Sequence, residues 1–333
     1  MKEAYIYKKG KDKKVSCRLC CHFCVIHNRD LGKCGVRKNK DGTLYSLVYR
    51  KLISENADPI EKKPLFHFLP GTLSLSVATV GCNFKCFFCQ NYSISQVESE
   101  QDVYGQNIAP EKIVSDALSS GCQSISYTYT EPTVFFEYAY DTAQIASGKG
   151  LKNVFVTNGY MSRECLEMIS PYLDAANVDL KSFSDKFYKE RVGARLTPVL
   201  DNIKLMHELG IWVEITTLVI PGLNDSEEEL GKIAEFIKAI SANIPWHLSA
   251  YHPQYRSRIP STSEEKIKQA IGLGKKAGLR YVYGGNIYAS DMENTYCCTC
   301  GKSIIERMGF SVTSNNILDG KCLNCGQKVN GIF

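Results

Sequence analysis

Three thiols stand in one short loop. Within "VGCNFKCFFCQ", Cys82, Cys86 and Cys89 follow an apolar, strand-like run at the spacing Cys-x3-Cys-x2-Cys. A closed four-cysteine iron-sulfur or zinc site needs one thiolate more. Three ligands on a [4Fe-4S] cluster leave one iron with open coordination, and such an iron can bind the amine and carboxylate of a small molecule. Phe88, directly before the third cysteine, can pack against a purine ring or shield a cluster from water. The rival chemistry is a three-cysteine zinc site completed by histidine or water.

The other cysteines also cluster. Fifteen are present and no secretion signal accompanies them, so ligation is expected rather than a disulfide framework. Cys122 and Cys165 stand alone and read as small buried apolar side chains. "YCCTCG" and "KCLNCG" pair as Cys-x2-Cys-Gly knuckles through Cys297, Cys300, Cys322 and Cys325, with Cys298 spare. Four thiolates in that pattern read as a zinc ribbon that clips down the C-terminus, although iron can use the same ligands. "CRLCCHFC" and "GKCGVR" offer Cys17, Cys20, Cys24 and Cys34, with Cys21, His22 and His27 close by. Structural zinc is the first reading there, and a second iron-sulfur cluster that relays electrons is the alternative.

These groups must be positioned by a folded body. At 333 residues and 44% hydrophobic, the chain suits one large domain with small appendages. From about residue 73, strand-like runs ("LSLSVATV", "SISYTYT", "NVFVTNG", "AANVDLKS", "WVEITTLVI", "WHLSAYH", "RYVYGGN") alternate with amphipathic helical stretches, which predicts parallel strands with right-handed crossovers. Too few strands are present for a full eight-stranded barrel. The polar motifs "TEP", "TNG", "DLK", "PGLND" and "YHPQY" all fall at or after strand carboxyl ends, where α/β folds bind ligands. The expected fold is therefore α/β, a partial (β/α)6 TIM-like barrel over residues 71–292. A cysteine-rich segment, 1–70, precedes it and a ribbon-like tail, 293–333, follows. Within the first segment, "RKNKDGTLYS" reads as a hairpin turning at Asp41 and Gly42. The net charge of +5 is mild and its basic residues are scattered, so nucleic acid is not an expected partner. No long apolar run points to a membrane and no apolar leader opens the chain, so a cytoplasmic protein is expected.

The cysteine spacing after a first strand resembles the signature of the radical S-adenosylmethionine (SAM) superfamily. "SYTYTEPTVFFEY", "VFVTNGY", "AANVDLKSFSDKFY", "EITTLVIPGLNDS" and "IPWHLSAYHPQY" look like its pyruvate formate-lyase activating enzyme branch. With "DPIEKKPLFHFLPG" ahead of the cluster loop, the chain looks closer still to the AmmeMemoRadiSam system radical SAM enzymes. The resemblance implies that a reduced [4Fe-4S] cluster on Cys82, Cys86 and Cys89 donates one electron to the sulfonium of bound SAM. A 5'-deoxyadenosyl radical results and abstracts hydrogen from a substrate.

The resemblance also implies residue roles. Tyr129, Thr130 and Glu131 occupy the place of a Gly-Gly-Glu segment that meets the cofactor's amino group; both glycines are replaced, while the carboxylate is kept. Asn158 would bond ribose or carboxylate, and a turn asparagine before Gly159 is the plainer alternative. Asp179 and Lys181, on one side of a strand, would contact the cofactor. Ile220 would line the adenine and His252 would touch the cofactor. A ferredoxin or flavodoxin would supply the electron, and an open barrel flank would admit a protein or peptide substrate. The family's name further suggests Memo-like and AMMECR-like partners. Radical modification of a small metabolite or nucleoside, and a non-enzymatic iron-sulfur electron carrier, are the rival functions.

Overall fold

The computed structural model describes residues 1–287 and 291–333. Eight strands form one sheet: β1 (Ser54–Pro59), β2 (Leu73–Ala78), β3 (Ser124–Tyr127), β4 (Lys152–Thr157), β5 (Ala175–Asp179), β6 (Trp212–Val219), β7 (Trp246–Ala250) and β8 (Val282–Gly285). From β2 to β8 neighbours are parallel, and β1 pairs antiparallel with β2. The six crossovers carry α1 (Pro110–Ser119), α2 (Phe136–Gly148), α3 (Arg163–Ile169), α4 (Thr197–Glu208), α5 (Glu227–Ile240) and α6 (Glu264–Ala277).

Spatial order repeats chain order. Right-handed crossovers between successive neighbours then all place their helices on one face, and the sheet must curl around the other. The result is a partial (β/α)6 barrel whose edge strands, among the described residues, do not meet. Local chemistry sets the helix ends. Ser226 caps α5 by accepting from Glu229 N, three glutamates fill the first turn, and Leu230, Ile233, Ala234 and Ile237 form its buried stripe.

Strand β1 lies ahead of residue 70, so the first segment contributes a strand to the barrel sheet. Residues 60–70 then plug the amino-terminal end of the barrel. Phe66 N and His67 N donate to the buried Glu214 carboxylate at 3.0 and 2.8 Å, and Asn177 Nδ2 donates to Pro64 O at 2.8 Å.

The two cysteine-rich ends attach differently. Val15, Cys17, Leu19, Ile26, Cys34 and Val36 belong to the same apolar core as the barrel. Arg37, on the expected hairpin (Arg37–Lys40 with Thr43–Ser46), makes a fully buried bidentate pair with Glu137 of α2, at 2.9 and 2.6 Å. Cys297, Ile304, Cys322 and Val329, by contrast, form a small core of their own. The tail is tied on by polar bonds: Ile332 N to His67 O at 2.8 Å, Leu69 N to Ile332 O at 2.7 Å, and Arg307 to Phe66 O at 2.8 Å. No helix among the described residues is long and apolar enough to cross a membrane.

Candidate active site

The loop after β2 sits at the carboxyl end of the sheet. Gly81 opens it at φ 104°, and a Cβ there would meet Val36 Cγ1 at 2.6 Å, so only glycine lets the N-terminal segment approach so closely. Lys85 N bonds Val192 O at 2.9 Å and Arg256 N bonds Phe87 O at 3.1 Å, pinning the loop between the β5 and β7 sides of the barrel. Its three thiols then line one cavity, about 1160 Å³ including its open mouth. Among the described residues no fourth cysteine and no histidine lines it.

The sulfurs already have donors. Phe84 N lies 3.4 Å from Cys82 Sγ, Asn158 Nδ2 lies 3.8 Å from the same sulfur, and Ser95 Oγ lies 3.2 Å from Cys89 Sγ. Such bonds tune the potential of a sulfur-ligated metal. Burial pushes the Cys82 thiol well up and the Cys86 thiol to about 12. Thiolates in this place therefore require a compensating cation.

Most of the expected residues meet here. Phe88, Thr130, Glu131, Asn158, Asp179 and Lys181 line the cavity together with Cys82, Cys86 and Cys89. Lys181 Nζ reaches Asp179 Oδ2 at 2.9 Å. Burial opposes the Lys181 charge, but Asp179 and Cys86 more than offset it and hold the ammonium above its ordinary range. Asn158 has the turn role: Oδ1 accepts from Tyr160 N at 3.0 Å, while Nδ2 donates to Asn83 Oδ1 at 2.7 Å and lies 3.8 Å from Cys82 Sγ.

Glu131 has a different local task from the one expected. Oε1 accepts from Thr133 N, Thr133 Oγ1 and Thr157 Oγ1, and Oε2 accepts from Asn158 N at 2.8 Å. Burial raises its pKa, while these donors oppose the shift. The carboxylate mainly caps the short helix Pro132–Phe135 and ties two neighbouring strand ends together. One lone-pair direction on Oε2 is left for an ammonium. Where the resemblance expects a glycine, Tyr129 itself adopts φ 63°, a region rare for a non-glycine residue. Its hydroxyl, donated to Asp58 Oδ2 at 2.6 Å, helps hold it there.

Two expected residues lie outside the cavity. Ile220 is fully buried in the apolar core, where Asn224 Oδ1 accepts from its N–H at 2.7 Å and turns the chain. His252 is exposed, its ring facing Ser261 Oγ at 3.1 Å and Asn286 O at 3.3 Å.

Two residues that bond to the cavity lining escaped sequence reading. Asn83 accepts from Asn158 through Oδ1 at 2.7 Å, while its Nδ2 is buried without a partner. Asp58 on β1 collects Lys62, Lys63, Ser76 and Tyr129. Although burial opposes it, those donors hold its carboxyl well below the usual range. The signal for Asn83 was its place between two ligand candidates; Asp58 carried none, since it sits in a polar run.

Known families match this arrangement. The radical SAM superfamily model matches residues 76–237, the span from β2 into α5 that carries all three cavity thiols. The chain belongs to the radical SAM superfamily. An uncharacterized protein of Methanocaldococcus jannaschii is 43% identical over 333 residues, covering 99% of each chain. Pyruvate formate-lyase 1-activating enzyme of Escherichia coli is 20% identical over 207 residues, 61% of this chain and 84% of that one. Among solved structures, Streptococcus suis SuiB bound to S-adenosylmethionine aligns with TM-score 0.52 at 16% identity, over 69% of this chain and 53% of that one, a likeness of fold. A [4Fe-4S] cluster and SAM are the groups this superfamily implies. Three thiols lining one open cavity, with no fourth among the described residues, fit them.

Proposed function

We propose that this radical SAM enzyme abstracts hydrogen from a protein or peptide substrate, in the manner of a glycyl-radical activating enzyme. The observation that carries the reading is the incomplete ligand set, in which Cys82, Cys86 and Cys89 are the sole thiols lining the cavity among the described residues. Similarity to a named activating enzyme supports it, as does a sheet whose edges β1 and β8 remain unpaired with each other. Held by Cys82, Cys86 and Cys89, the cluster would supply the single electron for cleaving SAM to methionine and the hydrogen-abstracting deoxyadenosyl group.

The residues have distinct tasks in this reading. Cys82, Cys86 and Cys89 hold the cluster, and Phe88 covers it. Asp179 and Lys181 present an ion pair to the polar end of SAM, and Asn158 and the Thr130–Glu131 backbone border its amino acid moiety. Cys297, Cys300, Cys322 and Cys325 hold a single ion, zinc by ligand chemistry, that keeps the tail folded. The end-to-end motif pattern further supports the AmmeMemoRadiSam subfamily, and with it a low-potential ferredoxin or flavodoxin donor.

Anaerobic incubation with SAM and dithionite tests the core of this reading. Release of 5'-deoxyadenosine and methionine is expected. Their absence from protein carrying a full complement of iron would overturn it.

A further inference from the structure

We propose that Cys17, Cys20, Cys24 and Cys34 hold a second [4Fe-4S] cluster, which receives one electron from a low-potential carrier protein and passes it to the active site. The relay part rests on the proposed radical chemistry, while the cluster part stands on its own geometry. The four cysteines converge on one pocket, about 330 Å³ including its mouth, between the N-terminal hairpins and the Thr133–Val134 turn ahead of α2.

Spacing distinguishes a cluster from an ion. Tetrahedral zinc with bonds of about 2.3 Å holds its sulfurs about 3.8 Å apart. The C-terminal quartet meets that requirement, with sulfur pairs at 3.6 and 3.9 Å and all four within 4.8 Å of one another. Among the described residues it alone does so. No three of the N-terminal thiols, and not the trio Cys82, Cys86 and Cys89 either, lie within 4.8 Å of one another, although each set lines one pocket. Thiolates bound to different corners of a cubane must stand apart in this way.

The pocket also holds an unmet donor. Arg37 is 2% exposed; its two terminal nitrogens are spent on Glu137 and Val134 O, yet its Nε–H has no partner. It lines the pocket, and its charge acts on the Cys17 and Cys34 thiols. Cluster or cysteinyl sulfur would accept that hydrogen bond. Lys33, exposed at the mouth, adds positive charge beside a strongly negative group.

Position supplies the function. His22, on the pocket wall, meets Asn83 O at 2.8 Å, and Asn83 adjoins Cys82. Thr133 lines this pocket and donates to Glu131, which lines the active-site cavity. One layer of residues therefore separates the sites. Half-buried Cys24, flanked by exposed Phe23 and Val25, faces the solvent, where a carrier can approach. The carrier loses one electron, each cluster in turn gains and releases it, and no bond or proton changes place. Cys21 is excluded from the ligand set because its Sγ bonds Met161 O at 3.1 Å.

The test is a Cys82→Ala/Cys86→Ala/Cys89→Ala variant of the full chain, reconstituted anaerobically with iron and sulfide. About four iron and four sulfide per chain should remain, with an electron paramagnetic resonance (EPR) signal on reduction that SAM leaves unchanged. Adding Cys17→Ser and Cys20→Ser should remove the iron, and adding Cys21→Ser instead should not. Zinc in place of iron, or no iron at all in a variant whose melting matches the parent, would overturn the cluster. In the intact core, Cys24→Ser should cut deoxyadenosine formation at least tenfold with a flavodoxin system while dithionite still supports it. Equal loss with both reductants would overturn the relay. Failure of the wild type to cleave SAM would sink the proposed function and leave the iron count of the triple variant untouched.

Discussion

The two ends of this chain carry similar cysteine runs and were folded into opposite relations with the barrel. At the N-terminus Cys17 and Cys34 share the barrel's apolar core, and the four cysteines line a pocket backed by a buried Arg37–Glu137 pair without closing on one another. At the C-terminus they close on one another around a miniature core, with Gly301 and Gly326 at φ 70° and 72° turning the two knuckles. A compact quartet can fold a short tail by binding one ion. A quartet set against the main core has no such need, and in the proposed relay its location beside the active-site loop would give it electronic rather than mechanical value.

Breaking each region should therefore have unlike consequences. The largest effect is expected at the active site itself. Cys86→Ala should abolish deoxyadenosine release, whereas Cys325→Ser should preserve it, both read by chromatography of anaerobic turnovers. Next comes the buried pair: Glu137→Ala leaves the Arg37 charge uncompensated and should cost about 3–5 kcal/mol of global stability in urea unfolding. Loss confined to the N-terminal segment would contradict its shared core.

The tail should respond to acid. Burial holds His67 at about 4, below the ordinary value near 6.5, so it is neutral in the fold. In that state it bridges Asn330 O at 2.7 Å and Tyr283 Oη at 2.6 Å. Unfolded chain binds the proton first as pH falls, so this contribution is complete above about 6.5 and is lost toward pH 4, about 3 kcal/mol in all. Trp212, stacked on His67 at 6.4 Å, should report tail release by fluorescence in that window, and His67→Gln should flatten the dependence. The smallest of these effects belongs to the cavity wall. Lys181→Met removes a charged bond of about 1.5–3 kcal/mol and should raise the SAM concentration for half-maximal turnover about ten- to hundredfold.

Much of this was legible in the sequence because the signals were local. Strand-like runs alternating with amphipathic helical stretches specified the barrel, and polar motifs after those runs marked its ligand-binding mouth. Strand β1 was hidden, since "SENADP" is polar and ends in proline; its stability comes from pairing with β2 and from the Asp58 network, both long-range. Ile220 and His252 do not line the cavity for a related reason: core packing buries the one and hydrogen bonds hold the ring of the other. Cys-x2-Cys spacing describes an ion knuckle and a cluster ligand equally well. Only through-space distances separate the two, and those are set by the fold.

The most direct measurement is EPR of the reduced, fully reconstituted protein with and without SAM. Two cluster signals are expected, of which one shifts on SAM addition and disappears in the Cys82→Ala/Cys86→Ala/Cys89→Ala variant, while the other does neither. A single signal, or two that ignore SAM, would contradict an open iron at the barrel mouth beside a closed one at the N-terminus.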